Sequence, residues 1–463
     1  MKKFFIISLF VITAAQFTIG QAKYVFYFIG DGMGMNYLDA TEAYFSAVKG
    51  TRGSGQLLMT TFPSATFSTT YSADNDITDS AAAGTALATG RKTNNGFIGV
   101  APDSSRIETI AEKAKKAGRK VGIATTVPIN HATPAAFYGH QPDRDMYYEI
   151  SQDLLKSNFD FFGGASFYNR NFFFDKTQAP DIYPLIEQAG YYIAKGMDDF
   201  NANSQKSDKV VLVQQNWEKA DGIPYAIDRL SGDLSLKEIT EAAIDVLMRN
   251  NKKGFFVMLE GGRIDWAGHG NDGAALVHEV ADMDEAIQVA YDFYKKHPKE
   301  TLIVITADHE TGGLTVGGGR LNLSVLQYQK KSADDLSEQL NELVKSRNGN
   351  VSWEDVKALL TQTMGFWEEV PINWENEKKL RDAYEETIAK HKNLEDTNLY
   401  ASNTLLAAKA KEVMDNISGL RWASGSHSAN YVPVIAIGVG QEQFTRKMDN
   451  TEIPKKIMQI ARY

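Results

Sequence analysis

Six short apolar runs constrain this chain more than any other feature: Tyr24–Ile29, Val121–Thr125, Val210–Val213, Phe255–Leu259, Leu302–Thr306 and Val434–Val439. They are continuous rather than alternating, rich in β-branched or aromatic residues, and bounded by Gly, Asp or Pro. A strand that is apolar at every position has both faces buried. Between the runs lie stretches with helical periodicity, Ile107–Ala117, Leu236–Met248 and Ala274–Phe293. In the last of these Leu276, Val280, Met283, Ile287 and Ala290 form one stripe. This pattern predicts an α/β fold with a mostly parallel central sheet and helices on both faces. Residues from about 320 to about 420 break the rhythm. They hold no buried strand and show helical patterns near Ala333–Val344, Trp353–Leu360, Lys378–Ala389 and Leu405–Val413. A helical insertion between two core strands is expected there.

The chain opens with Lys2 and Lys3, an apolar run from Phe4 to Ala15, and then small residues at Thr18 and Gly20. The run is shorter than the roughly 20 residues that a spanning helix needs. The layout predicts a signal peptide over residues 1–20, a domain over 21–463, and an exported protein, periplasmic or extracellular. No later stretch is long and apolar enough to span a membrane. A net charge of −9 argues against nucleic-acid binding, which needs a basic surface to displace counterions. The chain contains no cysteine, which excludes disulfides, thiolate metal sites and a cysteine nucleophile. Any metal must be held by His, Asp, Glu and hydroxyl or carbonyl oxygens.

Ligands of open parallel sheets bind beyond the carboxyl ends of the strands. Asp31 follows the first run, and His131 and Thr133 lie beyond the second. Glu260, Asp265 and His269 follow the fourth, and Asp308 and His309 follow the fifth. His427 belongs to the loop leading into the sixth. One such Asp is more often a helix cap than a ligand, and Asp308-His309 alone is compatible with a turn. Asp265 and His269 are spaced i, i+4, which puts both on one side of a helical turn and suits two ligands of one ion. Five strand ends offering carboxylates and imidazoles exceed what capping explains. Mixed imidazole and carboxylate sets favour zinc, and all-oxygen sets favour magnesium. Ser80 opens the Ala-rich run after Asp79 and is expected at a helix N-terminus. There it serves either as a plain cap or as a nucleophile in a position that favours anions.

Together these residues resemble the alkaline phosphatase family. Thr78-Asp79-Ser80-Ala-Ala-Ala-Gly-Thr-Ala and Thr89-Gly-Arg-Lys-Thr-Asn-Asn-Gly96 are similar to its active-site segment. So are Gly30-Asp31-Gly-Met-Gly, His131-Ala-Thr-Pro-Ala-Ala, Glu260-Gly-Gly-Arg-Ile-Asp265 with His269, Thr306-Ala-Asp-His309 and Gly425-Ser-His427, all in the family's order. The resemblance implies a phosphoric monoester hydrolase of broad specificity that acts through a phosphoserine at Ser80. It implies two zinc ions and one magnesium ion. Asp265, His269 and His427 match the ligands of the first zinc, and Asp31, Asp308 and His309 those of the second. Asp31, Thr133 and Glu260 match those of the magnesium. Arg144, thirteen residues after His131, stands where the family binds phosphate; Arg91 is the nearest rival. His131 replaces an Asp found in some members, and a role bonding a metal-bound water is expected for it. Trp266 stands where some members carry Lys or His, which implies weaker phosphate product binding or a pocket-wall role. Small-molecule phosphate monoesters are the implied substrates. In longer members an insertion like that of residues 320–420 forms a crown over the active site, often at a dimer interface, so a homodimer is compatible. The alternatives are a phosphodiesterase of the same superfamily and a non-catalytic phosphate or metal binder. His140, His278, His297 and His391 match no ligand.

Overall fold

Ten strands form one central sheet in a computed structural model that describes residues 20–53, 57–218 and 221–463. In chain order they are β1 (Tyr24–Gly30), β2 (Ser64–Thr69), β3 (Lys120–Thr125), β4 (Phe161–Gly164) and β5 (Tyr192–Lys195). There follow β6 (Val210–Val213), β7 (Phe255–Gly261), β8 (Thr301–Thr306), β9 (Val432–Gly438) and β10 (Met448–Asp449). Their order across the sheet is β10-β2-β9-β8-β1-β7-β3-β4-β6-β5. All six predicted runs are strands. The sequence reading missed β2, β4, β5 and β10, which are short, or polar in the case of Ser64–Thr69. The signal peptide expected over residues 1–20 lies, apart from Gly20, outside the described residues.

Continuous apolar character follows from burial on two sides. Phe26 and Phe28 of β1 pack into one core, while Tyr27 and Ile29 pack into a second core on the opposite face. Helices Leu236–Met248 and Gly273–Lys296 close the first core. The second is closed by Ile110–Lys116, Tyr147–Ser157 and Glu452–Ala461. Each fully buried Phe, Ile, Leu or Val contributes about 1.5–3 kcal/mol. A typical exposed ion pair contributes about 0–1 kcal/mol. The sheet core therefore sets the architecture and the surface charges do not.

One strand runs against the rest. Among the described residues, pairings within the sheet are parallel except the two made by β9, to β2 and to β8. The start of β9 thus lies at the edge where its neighbours end.

Between β8 and β9 the chain forms helices Ala333–Ser346, Trp353–Met364, Trp374–Glu386 and Leu405–Ser418. Ser332, Ser352, Asn373 and Thr404 cap them. A small ladder of Thr315–Val316 with Leu420–Arg421 joins the points where this segment leaves and returns. The sequence pattern did not indicate a two-stranded hairpin, Glu395–Asn398 with Ala401–Thr404. Lys411, only 6% exposed, ties the segment to the core. Its Nζ donates to Asn403 Oδ1 at 2.8 Å and to the Gly270 carbonyl. The buried carboxylates Asp272 and Asp415 lie nearby. We expect Lys411→Ala to destabilise the fold by about 3 kcal/mol in chemical denaturation, because these acceptors lose their cation in a site closed to water. A loss below about 1 kcal/mol would show that the anchor is dispensable.

Candidate metal centre and nucleophile

The predicted ligands gather at one edge of the sheet. Asp31 directly follows β1, and Glu260 is the penultimate residue of β7. Asp265 and His269 lie on the short helix Arg263–His269, with Asp265 Oδ2 3.4 Å from His269 Nε2. Asp308 and His309 follow β8. His427 pairs across a two-residue ladder with Thr311 just before β9. Three groups of donor atoms lie within 4.8 Å of one another: Asp265–His269–His427, Asp31–Asp265–His309 and Asp31–His131–Glu260. The first coincides with the expected first zinc set. In the second, Asp265 joins Asp31 and His309. Asp308 borders it, with Oδ2 3.3 Å from His309 Nε2. In the third, a ring nitrogen of His131 lies within 4.8 Å of carboxylate oxygens of Asp31 and Glu260. Thr133 Oγ1 donates to Asp31 Oδ2 at 3.3 Å.

Hydrogen bonds fix which imidazole nitrogen faces this centre. His269 Nδ1 lies 2.7 Å from the Gly425 carbonyl and His427 Nδ1 lies 2.9 Å from that of Thr78. A carbonyl only accepts, so each Nδ1 carries the proton and each Nε2 presents a lone pair. The two Nε2 atoms are 3.1 Å apart. Two lone pairs at that distance repel unless a cation lies between them. Thr311 supplies the same control for His309. Its hydroxyl donates to Asp265 Oδ1 at 2.5 Å, so it accepts from His309 Nδ1 at 3.3 Å and leaves His309 Nε2 free as a base.

Asp31, Glu260, Asp265 and Asp308 are all fully buried. Asp31 Oδ1, both Glu260 oxygens, Asp265 Oδ2, Asp308 Oδ2 and both ring nitrogens of His131 make no hydrogen bond within the described residues. A buried unpaired carboxylate costs several kcal/mol, and four in one site fit bound cations. Hard oxygens and borderline nitrogens in this mixture suit zinc and magnesium. Without cations the charges disturb one another. Burial, then repulsion by Asp308, Asp265 and Glu260, pushes the Asp31 carboxyl well above its usual range. Burial raises Glu260 to about 8 and, with the Asp265 charge, raises Asp308 to about 7. Burial foremost holds His131 and His309 well below, and His427 below, the ordinary imidazole value.

The Ser80 hydroxyl lies 3.1 Å from His309 Nε2. Ser80 is the first residue of the buried helix Ser80–Thr89, but the cap is Asp79, whose Oδ1 accepts from Ala82 N at 2.9 Å. The serine is therefore not spent on capping. Asp79 Oδ2 also accepts from Arg144 Nη1 at 3.0 Å, which ties the guanidinium to the residue preceding Ser80. Arg91 is exposed.

A model of the alkaline phosphatase family matches residues 22–160 and 185–463. The chain belongs to the alkaline phosphatase family. It is 33% identical to alkaline phosphatase 3 of Bacillus subtilis over 96% of this chain and 90% of that one. The crystal structure of a cold-active alkaline phosphatase from a psychrophilic Shewanella superposes with a TM-score of 0.78 at 28% identity, covering 95% of this chain and 99% of that one. A His-to-Glu mutant of the alkaline phosphatase from the Antarctic bacterium TAB5, described with Mg bound in its M3 site, gives a TM-score of 0.64 at 25% identity. The superposition covers 96% of this chain and 99% of that one. Alkaline phosphatases are phosphomonoester hydrolases, and this chain is an enzyme of that class.

Some residues at this family's site have roles that sequence reasoning did not assign. Asp79 and Thr311 lie within or beside the quoted motifs, but their hydrogen bonds depend on contacts made by folding. Trp266 is 4% exposed and lies between the guanidinium of Arg263, 4.7 Å from its ring, and Tyr400. That placement makes it part of the pocket wall. Tyr400 is the tip of the unpredicted hairpin.

The shifted groups predict how metal-free protein responds to pH. Glu260 and Asp308 hold protons in the fold that the unfolded chain has already released, so ionising them destabilises the fold as pH rises. The depressed imidazoles act in the opposite sense, but only below their ordinary value of 6.5. Chelated protein should therefore melt at progressively lower temperature as pH rises from about 6.5 to about 8.5. Protein reloaded with zinc and magnesium should lack that slope. A flat profile for chelated protein would contradict this charge balance.

Proposed function

We propose that this chain is an exported phosphatase that hydrolyses phosphate monoesters of broad specificity through a phosphoserine at Ser80. The observation that carries the reading is the Ser80 hydroxyl, not spent on capping its helix, 3.1 Å from His309 Nε2 and next to Asp79, which holds Arg144. Asp265, His269 and His427 would hold one zinc, and Asp31, Asp308 and His309 a second, with Asp265 in reach of both. Asp31, Thr133 and Glu260, with His131 beside them, would hold a magnesium-type ion. The relative described with Mg in its M3 site supports an ion of that kind. Two such zinc ions supply positive charge to the attacking and leaving oxygens of a phosphoryl transfer.

The protein's own residues do the rest. Ser80 Oγ attacks phosphorus in line, a P–O(Ser) bond forms and the ester P–O bond breaks, releasing the alcohol. Water then cleaves the phosphoserine to inorganic phosphate. The free N–H groups of the Ser80–Thr89 helix favour the dianion. Arg144, oriented by Asp79, offers its planar fork to two phosphoryl oxygens. An adjoining groove of about 850 Å³, lined by residues that include Trp217, Gly222, Arg263 and Trp266, leaves room for varied alcohols. The basic and apolar start of the chain supports export. Among the described residues no helix is long and apolar enough to cross a membrane.

Protein loaded with zinc and magnesium should hydrolyse an aryl phosphate monoester faster than the matching diester. Chelation should abolish turnover, and acid quenching should trap phosphate on Ser80. Ser80→Ala should lose at least about 10³-fold in kcat. Chelator-insensitive hydrolysis, preference for the diester, or no hydrolysis after reconstitution would overturn the reading.

A further inference from the structure

The hairpin that sequence reasoning missed delivers a tyrosine to the centre of the site. Glu395–Asn398 and Ala401–Thr404 are joined by a two-residue turn, Leu399-Tyr400. Tyr400 has φ of 60°, a conformation that glycine or asparagine usually takes at such a position. A bulky side chain kept there is strained, and strain of this kind persists where neighbouring contacts hold it. Those contacts belong to the site. The Tyr400 ring stacks on Trp266 at 5.2 Å with planes 16° apart. It meets His131 edge-on at 5.3 Å and His269 edge-on at 5.7 Å. Its hydroxyl accepts from Arg144 Nη2 at 2.7 Å.

The guanidinium is therefore held from two sides, by Asp79 on Nη1 and by Tyr400 on Nη2. Each of these nitrogens retains a second hydrogen. Because the Tyr400 oxygen accepts from a permanently charged donor, its own hydrogen points elsewhere. Among the described residues that hydrogen has no acceptor. Ser80, Asp31, Asp308 and His309 lie fully buried at the same centre. A phosphoryl oxygen placed against Arg144 and Ser80 is the acceptor that the arrangement lacks.

We propose that Tyr400 is a phosphate-binding residue contributed by the segment between β8 and β9. Its hydroxyl orients Arg144 and donates to a phosphoryl oxygen. This inference rests on the phosphomonoesterase reading above. It assigns binding to the hydroxyl and a wall function to the ring, and the two can be separated. Tyr400→Phe keeps the stack on Trp266 and removes only the donor, whereas Tyr400→Ala removes both.

The test uses metal-loaded protein of matched zinc content, with inorganic phosphate as the probe. Calorimetric Kd and inhibition constants for phosphate would be measured together with kcat and KM for an aryl monoester. Tyr400→Phe is expected to weaken phosphate about tenfold, the size of one hydrogen bond to a charged oxygen. KM should rise by a similar factor while kcat changes much less, and the melting temperature should stay that of the wild type. Because Tyr400 acts partly through Arg144 and partly by its own donation, the same change in an Arg144→Ala background should still weaken phosphate, but by a smaller factor than in the wild type. Phosphate affinity in Tyr400→Phe that is unchanged or tighter would overturn the assignment while leaving an active wild type as a phosphatase. An equal loss in both backgrounds would overturn the positioning role. A wild type that hydrolyses no monoester would overturn both readings.

Discussion

Four carboxylates buried within a few ångströms of one another are the constraint on which this protein depends. Asp31, Glu260, Asp265 and Asp308 have no exposed surface, and several of their oxygens lack a hydrogen-bond donor. An arrangement of this kind is unfavourable as it stands, because each charge loses hydration and repels its neighbours. It becomes favourable when cations enter, since binding that prefers the folded state adds directly to its stability. A chain without cysteine has no disulfides to offset such strain. The apolar sheet, buried on both faces, must hold the carboxylates together until the ions do.

The sheet does this through strand direction. β1, β7 and β8 end side by side, so Asp31, Glu260 and the pair Asp308–His309 emerge at one edge. His427 reaches the same edge only because β9 is antiparallel, which brings the start of that strand to where its neighbours end. A parallel strand at this position would have carried the loop before it to the far side of the sheet. Beyond direction, proton placement matters. Gly425, Thr78 and Thr311 each engage an Nδ1 proton, so three imidazoles turn Nε2 inward. Replacing Thr311, the partner that acts through its side chain, would free the His309 ring to rotate or change tautomer without altering any candidate ligand.

Ser80, the proposed nucleophile, depends on a division of labour between neighbours. Asp79 caps the helix and holds Arg144, which leaves the hydroxyl of Ser80 without a structural task. On the opposite side, Tyr400, from the segment between β8 and β9, closes the wall by stacking on Trp266 of the helix Arg263–His269. The site is thus built by two parts of the chain with different rules. The candidate ligands stand at strand ends held by the core, and part of the wall comes from a hairpin whose tip, Tyr400, contacts Trp266, His131, His269 and Arg144.

The amino-acid sequence by itself determined the class of fold, six of the ten strands and the identity of the residues that meet at the centre. Buried strands must be apolar throughout, and metal chemistry without cysteine must use carboxylate and imidazole, so both leave a mark on composition and spacing. The short strands Phe161–Gly164 and Tyr192–Lys195 left too little pattern to read, and polar Ser64–Thr69 did not look buried. Only the tertiary structure decided that β9 runs backward, that Asp79 rather than Ser80 caps the helix, that Asp265 belongs to two groups of donor atoms and that Tyr400 reaches Arg144. Each of these is a matter of direction or of contact between residues far apart in the chain. Residue type and spacing record what a side chain can do; the packed fold sets which partner it meets.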